Sequence, residues 1–218
     1  MIKFKKKVKA IIKTLDWYSP YPILYKFAMS NNEQEVFNKY IKNSKSYLEF
    51  GSGGSTLRAL QKSKAKIYSV ESSIDWINYL SKYWIIRFAK NRRLFFYPID
   101  IGKTEAWGYP ISNESKHLFP NYSNSVFSAL GSTEIDTVLI DGRFRVACAL
   151  STIINLSKFN NNPKILIHDF WNREQYHILL EFLTKIESVD TLGVFQVKDN
   201  LDLNLVKSKY EIYKYISE

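Results

Sequence analysis

The chain has 218 residues, of which 45% are hydrophobic and 24% charged. That suffices for one domain with a sizeable core, and it excludes a disordered, collagen-like or low-complexity chain. The formal net charge is +10, from 31 Lys and Arg against 21 Asp and Glu, a balance that invites a nucleic-acid or membrane partner.

Residues 1–13 qualify that charge. They carry Lys3, Lys5, Lys6, Lys7, Lys9 and Lys13 and no acid. The remainder is nearly balanced, as in an ordinary enzyme. The single cysteine, Cys148, excludes an intrachain disulfide framework. It stands between Ala147 and Ala149 and reads as a buried thiol. With no secretory signature, the expected compartment is a reducing cytoplasm. No run of about 18 apolar residues offers a membrane span.

In chain order, residues 1–45 read as a basic, helical N-terminal extension. Val8, Ile11, Ile12 and Leu15 fall on one helical face. Residues 17–25 read as an aromatic connector broken by Pro20 and Pro22. Asn32 with Glu35 predicts a capping box ahead of a stripe of Val36, Phe37, Tyr40 and Ile41. From residue 46 strands alternate with helices. Strands are predicted at 46–50, 66–70, 94–99, 135–140, 164–167 and 192–197. Helices are predicted at 55–61, from a Ser72/Asp75 cap through Ile74, Ile77, Leu80, Trp84, Ile85 and Phe88, along Val146, Ala149, Leu150, Ile153 and Ile154, and at 173–187. Residues 101–133 read as a long irregular insertion and 160–163 as a turn. The tail from Leu201 stays open between helix and strand.

This alternation predicts an α/β domain over 46–218, with a mostly parallel, doubly wound sheet covered on both faces. Ligands bind such sheets beyond the carboxyl ends of the strands. Polar or acidic residues recur there: Glu49 to Ser55, Glu71, Asp100, Asp141 to Arg143, and His168 with Asp169.

The segment Glu49-Phe50-Gly51-Ser52-Gly53-Gly54-Ser55-Thr56 is the most informative. Glycines let the backbone turn tightly and approach a ligand, and the helix start offers amide donors. Glu71, with Ser72 beside it, follows the second strand, where an acid commonly accepts from ribose hydroxyls. A dinucleotide, S-adenosylmethionine and a plain structural turn are the three readings. The dinucleotide fingerprint needs a glycine where Thr56 stands. Glu49 would repel a pyrophosphate but face a cationic amino group. Both points favour S-adenosylmethionine, held by Glu49, Gly51, Ser52, Gly53, Gly54 and Ser55.

These residues, with Val70-Glu71, Trp107-Gly108-x-Pro110, Asp141-Gly142-Arg143-Phe144-Arg145 and His168-Asp169, resemble class I S-adenosylmethionine-dependent methyltransferases. Within that superfamily they are similar to a bacterial methyltransferase-like group, with a layout like the macrocin and catechol O-methyltransferases. The resemblance implies a Rossmann-like, seven-stranded sheet with a reversed last strand. It also implies that Asp100 sits near the adenine. In catechol-type enzymes, acids at Asp141 and Asp169 and a following Asn hold Mg²⁺; here Phe170 replaces that Asn. Metal assistance through Asp141 and Asp169, a metal-free base at His168 or an Asp, and a structural role all stay open.

Arg143 and Arg145 suit a substrate carboxylate or phosphate, or a pairing with Asp141 or Asp169. Trp107 and its aromatic neighbours suit a substrate wall or lid. The expected function is methyl transfer to a small molecule or a glycan or nucleotide-sugar precursor, at a hydroxyl. The alternatives are a nucleic-acid methyltransferase and a non-catalytic binding protein, with the basic arm recruited to a membrane surface.

Overall fold

The computed structural model describes residues 14–157 and 162–217. The basic arm of residues 1–13 lies outside them, as do two residues of the turn expected at 160–163. Strands β1 (Ser46–Phe50), β2 (Lys66–Glu71), β3 (Leu94–Pro98), β4 (Thr137–Ile140), β5 (Lys164–Ile167), β6 (Leu183–Val189) and β7 (Leu192–Val197) form one sheet. Its order is β3-β2-β1-β4-β5-β7-β6. The pairs β1–β2, β2–β3, β1–β4 and β4–β5 are parallel. Strand β7 runs antiparallel to both β5 and β6. The expected α/β class, seven strands and reversed last strand are all present.

Strand alternation explains the two cores. On one face Leu48, Phe50, Val138, Ile140, Ile165 and Ile167 pack under helices α5 (Phe119–Leu130), α6 (Arg145–Leu156) and α7 (Leu203–Tyr213). On the other, Tyr47, Ile67, Leu139, Leu166 and Val194 pack under α1 (Asn31–Lys42), α2 (Gly54–Lys62) and α4 (Trp84–Ala89). Phe37 and Ile41 bring α1 into this second core. No helix of the described residues is long and apolar enough to cross a membrane.

Several local expectations are corrected. Ser30, not Asn32, caps α1, and Glu33 completes the box by accepting from the Ser30 amide at 2.8 Å. The helix expected from residue 74 to 88 is two helices, α3 (Ile74–Leu80) and α4, and Ser73 rather than Ser72 caps the first. The break at residues 81–83 shifts the phase. Ile77, Leu80, Ile86 and Ala89 are buried, while Ile74 and Phe88 are exposed.

The insertion at 101–133 ends in α5, whose Tyr122, Val126, Phe127 and Leu130 are core residues. Pro120, a breaker elsewhere, sits in the first turn of α5, where its missing N–H costs nothing. Residues 173–187 are not one helix. A 3₁₀ segment, Glu174–Glu181, leads into β6. The open tail is helix α7, capped by Asp202, which accepts from Asn204 N at 2.8 Å.

Candidate functional site

The strand order reverses between β1 and β4, and there the loops beyond their carboxyl ends meet. Gly51 has φ +96, and a Cβ on it would lie 2.8 Å from Gly142 Cα. Only glycine permits that approach. Gly54 opens α2 against Phe27, whose Cα would be 2.6 Å from an added Cβ. Gly53, by contrast, faces open space, with nothing within 4 Å of such an atom. A ligand can reach the backbone there. It faces a cleft of about 1000 Å³, within the usual size of small-molecule sites. Gly51, Ser52, Gly53, Gly54, Ser55, Glu71 and Ser72 line it, and so do Trp107, Asp141, Arg143, His168 and Asp169.

Two expected cofactor residues are placed elsewhere. Glu49 is fully buried behind the loop and does not line the cleft. Its carboxylate accepts from Tyr47 Oη at 3.0 Å, Ser55 Oγ and Ser69 Oγ at 2.7 Å each, and Thr56 Oγ1. Thr56 Oγ1 in turn accepts from Gly53 N at 2.9 Å. Glu49 thus holds the loop from behind instead of facing a ligand's amino group. Asp100 is exposed and outside the cleft. It accepts from Gly102 N at 2.8 Å, a local turn that satisfies its carboxylate.

Glu71 ends β2 on the cleft wall. Oε2 accepts from Ser52 N at 3.1 Å, and Oε1 from Ser72 N at 2.8 Å and Ser73 N at 2.9 Å. Burial raises the carboxyl pKa of both Glu49 and Glu71, against these donors. Across the cleft, residues 104–110 make a strap. Thr104 bridges Pro110, and Glu105 N donates to Tyr109 O at 2.8 Å. Trp107, at φ 65, is 70% exposed, with Lys26 Nζ 4.1 Å from its ring centre.

Beyond β4 and β5 the charges pair with one another. His168 Nδ1 lies 2.9 Å from Asp141 Oδ1, and Nε2 lies 3.4 Å from Glu33 Oε2. Arg145 reaches Asp141 and Asp169, each at 3.2 Å, and donates to Gly142 O and to His168 O. Arg173 reaches Asp169 at 3.4 Å. Burial by itself would lower the His168 pKa, but the Asp141 hydrogen bond and the Asp141 and Asp169 charges outweigh it and raise it. For Asp141, burial pushes upward, and the His168 hydrogen bond and Arg145 charge reverse this and lower the pKa. His168, expected as a proton acceptor, is thus tied to Asp141 through Nδ1, and its Nε2 is turned toward Glu33. Glu33, missed in the sequence, is hidden there as a helix-cap residue. Its signal was the Ser30-x-x-Glu33 spacing.

The two arginines of the Asp141 motif divide. Arg145 takes the pairing role. Arg143 is 6% exposed and has no carboxylate within ion-pair distance among the described residues.

Asp141, His168 and Asp169 can bring ligand atoms within 4.8 Å of one another. They do not fit Mg²⁺. Arg145 engages both carboxylates and Arg173 one of them, so a divalent ion would meet two guanidinium groups. The residue after Asp169 is the buried Phe170, which offers no oxygen ligand.

No family model and no curated protein matches the chain. A methyltransferase-like protein from Silicibacter pomeroyi is similar in structure, with a TM-score of 0.76 and 28% identity, over 89% of this chain and 98% of that one. The chain has the fold of class I S-adenosylmethionine-dependent methyltransferases. More distant are a Plasmodium falciparum dimethyladenosine transferase and the N-terminal domain of EvdMO1 in the presence of SAH and D-fucose. The first has 14% identity and TM-score 0.42 over 80% of this chain and 63% of that one. The second has 12% and 0.40 over 94% and 86%. At those scores neither carries an argument about this chain.

The methyltransferase fold implies S-adenosylmethionine, and the cleft fits it. Gly53 leaves room for close approach, and Glu71 meets the cleft with no cation within ion-pair distance among the described residues. A carboxylate so placed suits ribose hydroxyls and a positively charged ligand.

Proposed function

We propose that the chain is an S-adenosylmethionine-dependent methyltransferase that acts on a hydroxyl of a small molecule, or of a glycan or nucleotide-sugar precursor. The observation that carries this is one crevice shared by the glycine loop, Glu71 and Asp141 at the strand-order reversal. Ser52, Gly53 and Gly54 would hold the methionine part of the cofactor, and Glu71 the ribose. When bound, the cofactor supplies an electrophilic methyl group on a cationic sulfur.

The chain's own contribution is position and proton handling. Glu49 keeps the loop in shape through Ser55 and Thr56. The strap at 104–110 contributes Thr104, Glu105, Trp107, Gly108 and Tyr109 to the cleft lining, which favours an acceptor small enough to lie among them over a duplex. A hydroxyl that accepts a methyl group loses its proton. Asp141 is the carboxylate on the cleft wall that would receive it, with His168 and Arg145 fixing its orientation. Its lowered pKa makes it a weak base, so orientation does more than basicity in this scheme.

The test pairs calorimetry with a transfer assay. The chain should bind SAH one to one. Labelled methyl groups should appear on hydroxyl-bearing sugars or sugar nucleotides, and Asp141→Asn should abolish that transfer while SAH binding stays. No SAH binding by the wild-type chain would end the proposal. Binding without any transfer would favour a non-catalytic binding protein.

A further inference from the structure

Arg143 stands out among the charged groups of the cleft. It is 94% buried by its 6% exposure, and its Nε and Nη1 donors meet no acceptor. Its neighbour two residues on, Arg145, is buried as deeply but is satisfied by two carboxylates and three carbonyls. A buried guanidinium without an anion is costly, and an anion entering the cleft would offset that cost. Arg143 lies on the cleft wall and follows Asp141, the acid nearest the proposed chemistry.

The strap covers Arg143. The Tyr109 ring lies 4.0 Å from its Cζ, and Gly108 passes over its stem, with Arg143 Cγ 3.7 Å from where a Cβ would be. The Tyr109 hydroxyl leans on Arg173 and Arg143 together. Arg173 foremost lowers its pKa, burial opposes, and Arg143 adds to the lowering. Two guanidinium groups thus converge on one phenol. The nearby acids are already engaged, Asp169 by Arg145 and Arg173 and Asp141 by Arg145 and His168. Lys26, from the segment before α1, lies over the ring of Trp107 on the same strap. This corner has donors left over on Arg143 and no carboxylate in ion-pair contact with it among the described residues.

We infer that Arg143 is the seat of an anionic group, a carboxylate or a phosphate, carried by the methyl acceptor. The inference rests on the methyltransferase reading of the cleft. It narrows the acceptor from any hydroxyl compound to one bearing a negative group within reach of the reacting hydroxyl. Guanidinium forks match both anions, and an ammonium does so less well. Tyr109 covers the seat and has to yield to the incoming group, so the strap couples acceptor entry to closure of the cleft.

The test uses the full chain and inorganic phosphate as the probe, with calorimetry in the presence of saturating SAH. Wild type should bind phosphate. Arg143→Met should weaken that binding by about tenfold or more, and Arg143→Lys should restore part of it. SAH affinity should change less than about twofold in both variants. Equal phosphate binding by wild type and Arg143→Met, or none by wild type, overturns the inference. Loss of SAH affinity in Arg143→Met with phosphate binding retained would assign the anion to the cofactor's own carboxylate and overturn the acceptor assignment. If wild type fails to bind SAH, the methyltransferase reading itself fails. An Arg143-dependent phosphate site would then stand as an anion site with no methyl acceptor attached to it. Urea midpoints of both variants near the wild-type value show that folding is not what was lost.

Discussion

The two halves of the cleft solve the problem of buried acids in opposite ways. At the ends of β1 and β2, Glu49 and Glu71 are held by neutral donors only, four hydroxyls for one, three backbone amides and the Ser72 hydroxyl for the other. Beyond β4 and β5, Asp141, Asp169 and Glu33 each face a cation or His168. The pKa directions follow. Burial wins for Glu49 and Glu71, which rise. In the other half burial is outweighed. For Asp141 the His168 bond and Arg145 charge decide, and for Glu33 the Thr191 and Ser30 hydrogen bonds and the His168 charge. In the first half Glu71 reaches the cleft with no cation in ion-pair contact among the described residues, which suits a ligand with free hydroxyls and a positive charge. The second neutralises itself and becomes a rigid frame, with Arg143 as its one surplus cation among the described residues.

The comparison breaks most sharply at the arginines. Arg145→Met should destabilise the chain by about 3–5 kcal/mol, because it strands Asp141 and Asp169 without their shared cation. Arg143→Met should cost well under about 1 kcal/mol, since no protein anion loses a partner. Urea denaturation of the two variants measures this. Equal losses would mean that Arg143 is also structural.

The next effect separates the two glutamates of the first half. Glu71→Gln should weaken SAH binding by about tenfold or more, the worth of a charge-assisted hydrogen bond, with only a modest change in urea midpoint, because the amide oxygen still accepts from the backbone around it. Glu49→Gln should do the reverse. Its four hydroxyl donors cannot all be accepted by an amide, so the loop loosens and stability falls. Calorimetry and denaturation on both variants would show whether loop support and ligand contact are divided in this way.

How much of this was legible in the sequence depends on what fixes each feature. Strands at 46–50, 164–167 and 192–197 were readable because short apolar runs bounded by turn residues admit little else. The region from 173 to 187 was not. Its apolar spacing, with Tyr176 and Leu179 buried, mimics a helix until β6 pairs with β7 across the chain. The glycine loop and Glu71 were readable as a ligand cradle because local spacing defines it. The direction of Glu49 had a signal that went unused. Leu48 and Phe50 face one core, so Tyr47 and Glu49 must face the other, toward the hydroxyls of Ser55, Thr56 and Ser69. The division between Arg143 and Arg145 had none, since two arginines two residues apart differ only in where β5 and the strap place their partners.

A smaller effect concerns pH. His168 has a folded pKa above its unfolded value of about 6.5. Its contribution to stability is therefore complete below about pH 6.5 and is lost as pH rises through the folded pKa. Asp141 and Glu33 are lowered, so theirs is present above the ordinary carboxylate range and is lost as pH falls through their folded pKa values. The second half should hold best between those limits. Urea midpoints followed from pH 5 to 9 should decline on the alkaline side in wild type. His168→Gln should flatten that decline. A His168→Gln profile parallel to wild type would show that the imidazole adds no charge to the network.

The smallest expected effect is none at all, and it tests whether the second half is truly self-neutralised. Three potential ligand groups, Asp141, His168 and Asp169, lie close enough for one ion. Mg²⁺ prefers oxygen ligands and keeps several waters, so it binds where carboxylate charge is free. Here Arg145 bridges both carboxylates at 3.2 Å. A divalent ion would have to displace that buried guanidinium and leave it unpaired. SAH affinity and thermal midpoint should therefore be the same in EDTA and in millimolar Mg²⁺, within about a twofold change in Kd. A rise in midpoint with Mg²⁺ that vanishes in Asp169→Asn would show the opposite, that Arg145 yields and the acids hold a metal after all. The contrast between the halves would then lie in which cation is bound, and not in whether one is needed.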